Sequence, residues 1–240
     1  MSFASVFERV RCRLIVSCQP VPGGPFDRPE VVADYVRATT DGGAAGFRIE
    51  GAANIRAARQ ATDRPLIGLI KRPFGDNPAW ITGTTDDVTA TIEAGADIVA
   101  IDATIGARPA PVDELFGVAH GLNRPVLADI STLAEAQAAA DSGADAVATT
   151  LSLDCTDTSG RPCPDLALIR DAAATLSIPA VAEGNVRTPA DAMAAREAGA
   201  WAVVVGSAIT RPEFVTSWFA EALAEADQNH QAHPSQTGSP

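Results

Sequence analysis

EAGADIVAID, residues Glu93–Asp102, carries the transition that decides the fold. Gly95 follows an acidic helix end. Only glycine enters the left-handed conformation without a side-chain penalty, so this position reads as a helix C-terminal cap. The apolar run behind it, Ile98 to Ile101, is short and rich in Val, Ile and Ala, as a strand buried on both faces should be. The same plan returns in DGGAAGFRI (41–49), DSGADAVATT (141–150) and EAGAWAVVVG (197–206). Gly43, Gly95, Gly143 and Gly199 thus mark four helix-to-strand joints at a regular interval.

A second set of strands lies between the joints: LIVSC, RPLIGLIK, RPVLADI and IPAVAEG, three of them entered through Pro65, Pro125 and Pro179. Proline at a strand entrance interrupts no central ladder position and stops the helix before it. The eight predicted strands fall at about 14–18, 45–49, 66–71, 97–102, 126–130, 146–151, 180–182 and 202–206, with helical patterns such as TTDDVTATIEAG and TPADAMAAREAG between them. Alternation of this kind predicts an α/β fold, a (β/α)8 TIM barrel with pseudo-fourfold layering, as a single domain over residues 1–226. The competing doubly wound sheet lacks a GxGxxG after the first strand. The polar stretch DQNHQAHPSQTGSP predicts a disordered C-terminal tail, 227–240, that takes His230 and His233 with it. His120, at a helix end, is expected to face the last carbonyls.

With 46% hydrophobic residues in 240, the chain can bury a sizeable core. Its formal net charge of −12 disfavours a broad grip on nucleic acid or an anionic membrane, so an anionic ligand needs a local positive pocket. No run is apolar and long enough to span a bilayer, and the N-terminus lacks a signal-peptide pattern, which predicts a cytoplasmic protein. The four cysteines, Cys12, Cys18, Cys155 and Cys163, show no metal spacing and read as reduced thiols. No metal site is expected.

In a barrel the C-terminal strand ends converge on one face, where polar residues are site candidates. The chain places there Ser17 and Gln19, Arg48, Lys71 and Arg72, Asp102, Asp129, Thr149 and Thr150, Glu183, and Ser207 with Arg211. Plain structural roles compete for several. Asp102 and Asp129 fit turn anchors, Arg48 and Arg72 fit rim ion pairs, and Gln19, Thr149 and Thr150 fit backbone hydrogen bonds. Lys71 and Glu183 each end an apolar run, where an ionised side chain needs a reason. Desolvation, or a cation such as Arg72 alongside, would lower the lysine pKa and make it a general base or a Schiff-base nucleophile, with Glu183 as the complementary acid. Gly184, Gly206 and Ser207, just past the last two strands, fit a phosphate site to which Arg211 adds a charge contact.

In register, LIVSCQ, GFRIEG, IGLIKR, ADIVAIDAT, ADISTLAEA, ATTLS, VAEGNVRTPADA and VVVGSAITRP resemble the N-acetylmannosamine-6-phosphate 2-epimerase family over nearly all of residues 13–220. The resemblance implies inversion at C2 of a phosphorylated N-acetylhexosamine in sialic acid and amino sugar catabolism, with no cofactor. It implies Lys71 and Glu183 as the catalytic pair, with Gln19, Arg48, Asp129, Thr150 and Arg211 as substrate contacts. Asn185 stands where an arginine is common in that family and Ser207 where a glycine is, which bears on phosphate affinity and substrate range. Two other readings stay open: a class I aldolase using Lys71 as an imine former, and a phosphosugar-binding barrel without catalysis. Barrels of this size often dimerise, and Trp218 and Phe219 would either pack inward or form a homodimer interface.

Overall fold

The computed structural model describes residues 3–152 and 164–232. Its strands in chain order are β1 (Leu14–Cys18), β2 (Gly46–Glu50), β3 (Leu66–Leu69), β4 (Lys71–Phe74), β5 (Asn77–Ile81), β6 (Ile98–Asp102), β7 (Val126–Asp129), β8 (Ala146–Ala148), β9 (Ala180–Val181) and β10 (Val203–Val205). The helices are α1 (Phe3–Glu8), α2 (Pro29–Asp41), α3 (Ala52–Ala61), α4 (Thr85–Glu93), α5 (Val112–Gly121), α6 (Leu133–Asp141), α7 (Leu166–Thr175), α8 (Pro189–Glu197), α9 (Ser207–Thr210) and α10 (Pro212–Ala232). Eight parallel strands pair in the order β10-β1-β2-β3-β6-β7-β8-β9. A bridge between Ala182 and Val203 joins the two ends of that order, so the sheet closes into a (β/α)8 barrel.

The four repeated joints share one geometry. Gly43, Gly95, Gly143 and Gly199 have φ between 98° and 107°. At each, the glycine amide bonds back three residues and the next amide five, as in Gly95 to Ile92 and Ala96 to Thr91. That is a Schellman cap, and it turns every second helix into its strand by the same path.

Inside the barrel, Ile15, Ile67, Leu69, Ile98 and Leu127 interleave with the small Ala100, Ala146, Ala148 and Ala202. Such alternation fills the interior without voids. Helix α1 closes the N-terminal end with Val6 and Phe7, and the Trp201 indole donates to the Phe7 carbonyl at 3.0 Å. The outer layer packs helix against strand, for example Phe116 and Leu115 of α5 with Val99, Ile101 and Val126. No described helix is long and apolar enough to cross a membrane.

Two expectations change. Strand β3 ends at Leu69, and Lys71 opens a separate antiparallel hairpin, β4–β5, where a longer strand was expected. Pro73 cannot donate to a ladder, and Gly75–Asp76 supply the turn. The tail boundary at 226 falls within α10, which continues to Ala232 because no helix breaker precedes Pro234. Residues 233–240 lie outside the described residues, as do Cys155 and Cys163; Cys12 and Cys18 are free thiols. His120, in the last turn of α5, pairs through Nε2 with Asp145 Oδ2 at 2.9 Å. Trp218 turns to the barrel's C-terminal face, whereas Phe219 is 70% exposed.

Candidate active site

A cavity of about 270 Å³ opens at the C-terminal end of the strands, lined by Ser17, Gln19, Lys71, Thr150, Glu183, Gly184, Gly206, Ser207 and Arg211 among others. A larger depression of about 460 Å³ lies at the opposite end, but its charged lining residues are Glu8 and Asp145. Of these two, only the first offers cations to an anion.

The floor is organised by one buried cation. Arg48 of β2 is 0% exposed and forks onto Asp129 of β7, Nη1 to Oδ1 at 2.9 Å and Nη2 to Oδ2 at 2.7 Å. Its Nη1 also lies 3.2 Å from Glu183 Oε2. Thr150 donates its hydroxyl to Asp129 Oδ1 at 2.6 Å. A planar guanidinium held by two carboxylates is a rigid brace, and its Nε remains buried without a partner among the described residues. Arg48 and Asp129, read from the sequence as substrate contacts, are buried and do not line the cavity. They set the position and charge of what does.

Glu183 follows β9. Thr149 brackets its backbone, the hydroxyl donating to the Glu183 carbonyl at 2.9 Å and accepting its amide at 3.1 Å. Burial, and then the Asp129 charge, push the Glu183 carboxyl up to about 7 against the opposing pull of Arg48 and Lys71. Lys71 moves the other way. Desolvation by the site walls and the positive charge of Arg48 lower its pKa, while Glu183 holds it up. The second cation beside Lys71 is Arg211; Arg72, the neighbour expected from the sequence, turns away to Asp87. Strands β3 and β9 stand four places apart in a ring of eight, so the segments that follow them face each other across the barrel. A lysine shifted down and a carboxyl shifted up, on opposite walls, are displaced toward each other, as a base and an acid sharing one site require.

The residues read from the sequence as a phosphate site lie together on the far wall. Gly184 has φ +113°, which a side chain would strain. Ser207 begins α9, and the first amides of a helix have no intrahelical acceptor. Arg211, which lines the cavity, donates through Nε to the Gln19 carbonyl at 2.8 Å, and through Nη2 to the same oxygen, so its guanidinium is held in place. Gln19 in turn donates Nε2 to Ser17 Oγ at 2.8 Å, while its Oε1 is buried without a partner among the described residues. Sequence reasoning missed Phe214, Trp218 and Arg187 in the lining, the last with its guanidinium 5.0 Å from the Trp218 ring centroid. The one available signal was the amphipathic start of α10, RPEFVTSWF, directly after Ser207 and its loop. Asp102 is buried but accepts from the Thr104 amide and hydroxyl, the turn-anchor role.

A sequence model described as "Putative N-acetylmannosamine-6-phosphate epimerase" matches residues 32–225. Among curated relatives, a "Bifunctional enzyme NanE/NanK" of Brucella melitensis biotype 1 is 49% identical over 221 residues, 92% of this chain. The chain spans 42% of that relative's length. A "Putative N-acetylmannosamine-6-phosphate 2-epimerase" of Klebsiella pneumoniae (strain 342) is 46% identical over 214 residues, 89% of this chain and 90% of the relative. Among solved structures, the N-acetylmannosamine-6-phosphate 2-epimerase from Clostridium perfringens matches with a TM-score of 0.84 at 35% identity, covering 90% of this chain and 95% of that one. The chain belongs to the N-acetylmannosamine-6-phosphate epimerase family that the sequence model describes.

Proposed function

We propose that this protein interconverts N-acetylmannosamine 6-phosphate and N-acetylglucosamine 6-phosphate by moving a proton at C2, in amino sugar catabolism. The observation that carries the reading is the pairing of Lys71 and Glu183 across one cavity, with pKa values displaced toward each other. In the open-chain sugar C2 lies beside the C1 aldehyde. Lys71 removes the C2 proton, the C–H electron pair moves into the C1–C2 bond, and the charge settles on the aldehyde oxygen as an enolate. Return of a proton to the other face gives the epimer, so electrons balance without a redox or group-transfer cofactor. Glu183 serves as the partner acid, at the opposite face or in opening the ring. Arg211 with the amides near Gly184 and Ser207 holds the 6-phosphate, and this remote grip keeps C2 within reach of the base. The names of the relatives support the substrate class. A cytoplasmic setting is proposed with it, since sugar phosphates are charged and do not cross membranes unaided. Homodimerisation is proposed on the apolar face of α10, where Phe219 and Leu223 are each 70% exposed; sedimentation of the full chain tests it.

Proton NMR in D2O with N-acetylmannosamine 6-phosphate tests the reaction. Wild type should place deuterium at C2 and accumulate the gluco epimer, and Lys71→Ala should lose both by about a thousandfold. Wild type without exchange or epimer would overturn the reading.

A further inference from the structure

We infer that the Arg72–Asp87 ion pair, together with the Ile70–Thr82 clamp, is the device that aims the Lys71 side chain into the cavity. The inference rests on the reading of Lys71 as the proton-transfer group.

The internal repeat supplies its own control. Three helices begin with threonine at the N-cap and an acid three residues later: Thr84 and Asp87, Thr132 and Glu135, Thr188 and Asp191. In α6 and α8 the acid reaches back to the cap amide and closes a capping box. In α4 only half of the arrangement forms: Thr84 accepts from the Asp87 amide at 3.1 Å. The Asp87 carboxylate is diverted, and Oδ1 takes the Arg72 Nε at 2.6 Å. This carboxylate is buried, and its Oδ2 has no partner among the described residues. The local sequence favours a box, so forgoing it makes sense if the anchored residue matters more than the cap.

That residue is the neighbour of Lys71. Successive side chains on a strand point to opposite faces. With Arg72 held on the α4 side, the pleat turns Lys71 to the cavity, which it lines and Arg72 does not. The residue on the other flank is tied as well. Ile70 donates its amide to Thr82 Oγ1 at 3.2 Å and accepts the Thr82 amide at 2.7 Å. Thr82 does this at φ +48°, a left-handed conformation that a β-branched residue rarely adopts. Both neighbours of Lys71 are therefore fixed by unusual local arrangements. The groups facing the ammonium are Arg48, Glu183, Arg211 and Glu50, whose Oε1 also accepts the Lys71 amide at 3.3 Å. Lys71 is exposed at the cavity mouth, so a lysine released from this aim would leave the Arg48 field and its remaining contact with the site walls.

The test uses the full chain with Arg72→Met, Asp87→Asn, both together, and Arg72→Lys, followed by kcat, KM and C2 exchange in D2O against pH. Misplacing a reacting group by about an ångström costs roughly a hundredfold, so Arg72→Met and Asp87→Asn should each lower kcat about 10- to 100-fold with KM within about twofold. The basic limb of the kcat profile should move to higher pH as the Lys71 amine regains its ordinary proton affinity. The double variant should fall no further than the worse single, and Arg72→Lys should recover part of the rate. Arg72→Met leaves the buried Asp87 carboxylate unpaired, so the double variant, which removes that charge as well, keeps the test standing if either single variant folds poorly. A folded Arg72→Met with kcat within twofold of wild type, or with an unmoved pH limb, overturns the inference. Wild type that exchanges no C2 proton instead overturns the assignment of Lys71.

Discussion

Burying a carboxyl beside a second carboxylate makes Glu183 a more avid proton acceptor in the folded chain than its ordinary 4.5, at about 7. A group of this kind stabilises the fold fully below its unfolded pKa and loses that contribution as pH rises through the folded value. The urea midpoint of wild type should therefore fall between pH 5 and 8 by more than that of Glu183→Gln. Arg48 gives a complementary prediction. Arg48→Met strands Asp129 and Glu183 as two close, buried acids, and removing one partner of such a pair costs about 3–5 kcal/mol. Arg48→Met/Asp129→Leu should recover much of that loss in the same denaturation experiment. The ends of apolar runs exposed Lys71 and Glu183 in the bare sequence, because an ionised terminus to a buried strand is chemically conspicuous. The fork between Arg48 and Asp129 was not legible: the two are 81 residues apart, and only the register of the closed sheet brings them face to face.

At the scale of elements, the repeated glycine joints were the readable feature, and their shared geometry makes them comparable test sites. At Gly43 an added methyl meets nothing within 4 Å, so Gly43→Ala should lose only the left-handed penalty, about 1–2 kcal/mol. Gly95→Ala adds a contact at 2.9 Å with Cγ of Arg59, whose guanidinium bonds Asp97 Oδ2 at 2.9 Å, and it should lose about 1 kcal/mol more. Paired urea titrations measure the difference. The β4–β5 hairpin escaped the sequence reading because Pro73 and Pro78 argue against strands. Its positive signals were the Gly75–Asp76 turn and the Phe74 and Trp80 flanks, whose rings meet edge to face at 5.6 Å. The short α9 was likewise hidden, since four residues carry too little periodicity to declare a helix.

Over the whole molecule, a chain of net charge −12 gathers Lys71, Arg187 and Arg211 at one cavity. Inorganic phosphate should bind there and raise the melting temperature of wild type, and at matched ionic strength Arg211→Met should lose most of that rise; a hundredfold excess over Kd corresponds to about 2.7 kcal/mol. The barrel class followed from alternation alone, whereas its closure through Ala182 and Val203 depends on twist and register that no local stretch encodes. The three tryptophans are spread over this architecture: Trp80 on the hairpin, Trp201 at the barrel floor under α1, and Trp218 beneath the Arg187 guanidinium in the site wall. Each indole emits according to the field and polarity around it, so the molecule carries three built-in optical reporters in three distinct surroundings. Trp218→Phe would silence the one in the cavity wall, and Trp80→Phe the one that moves if the hairpin moves. A fluorescence titration could then separate occupation of the cavity from displacement of the hairpin.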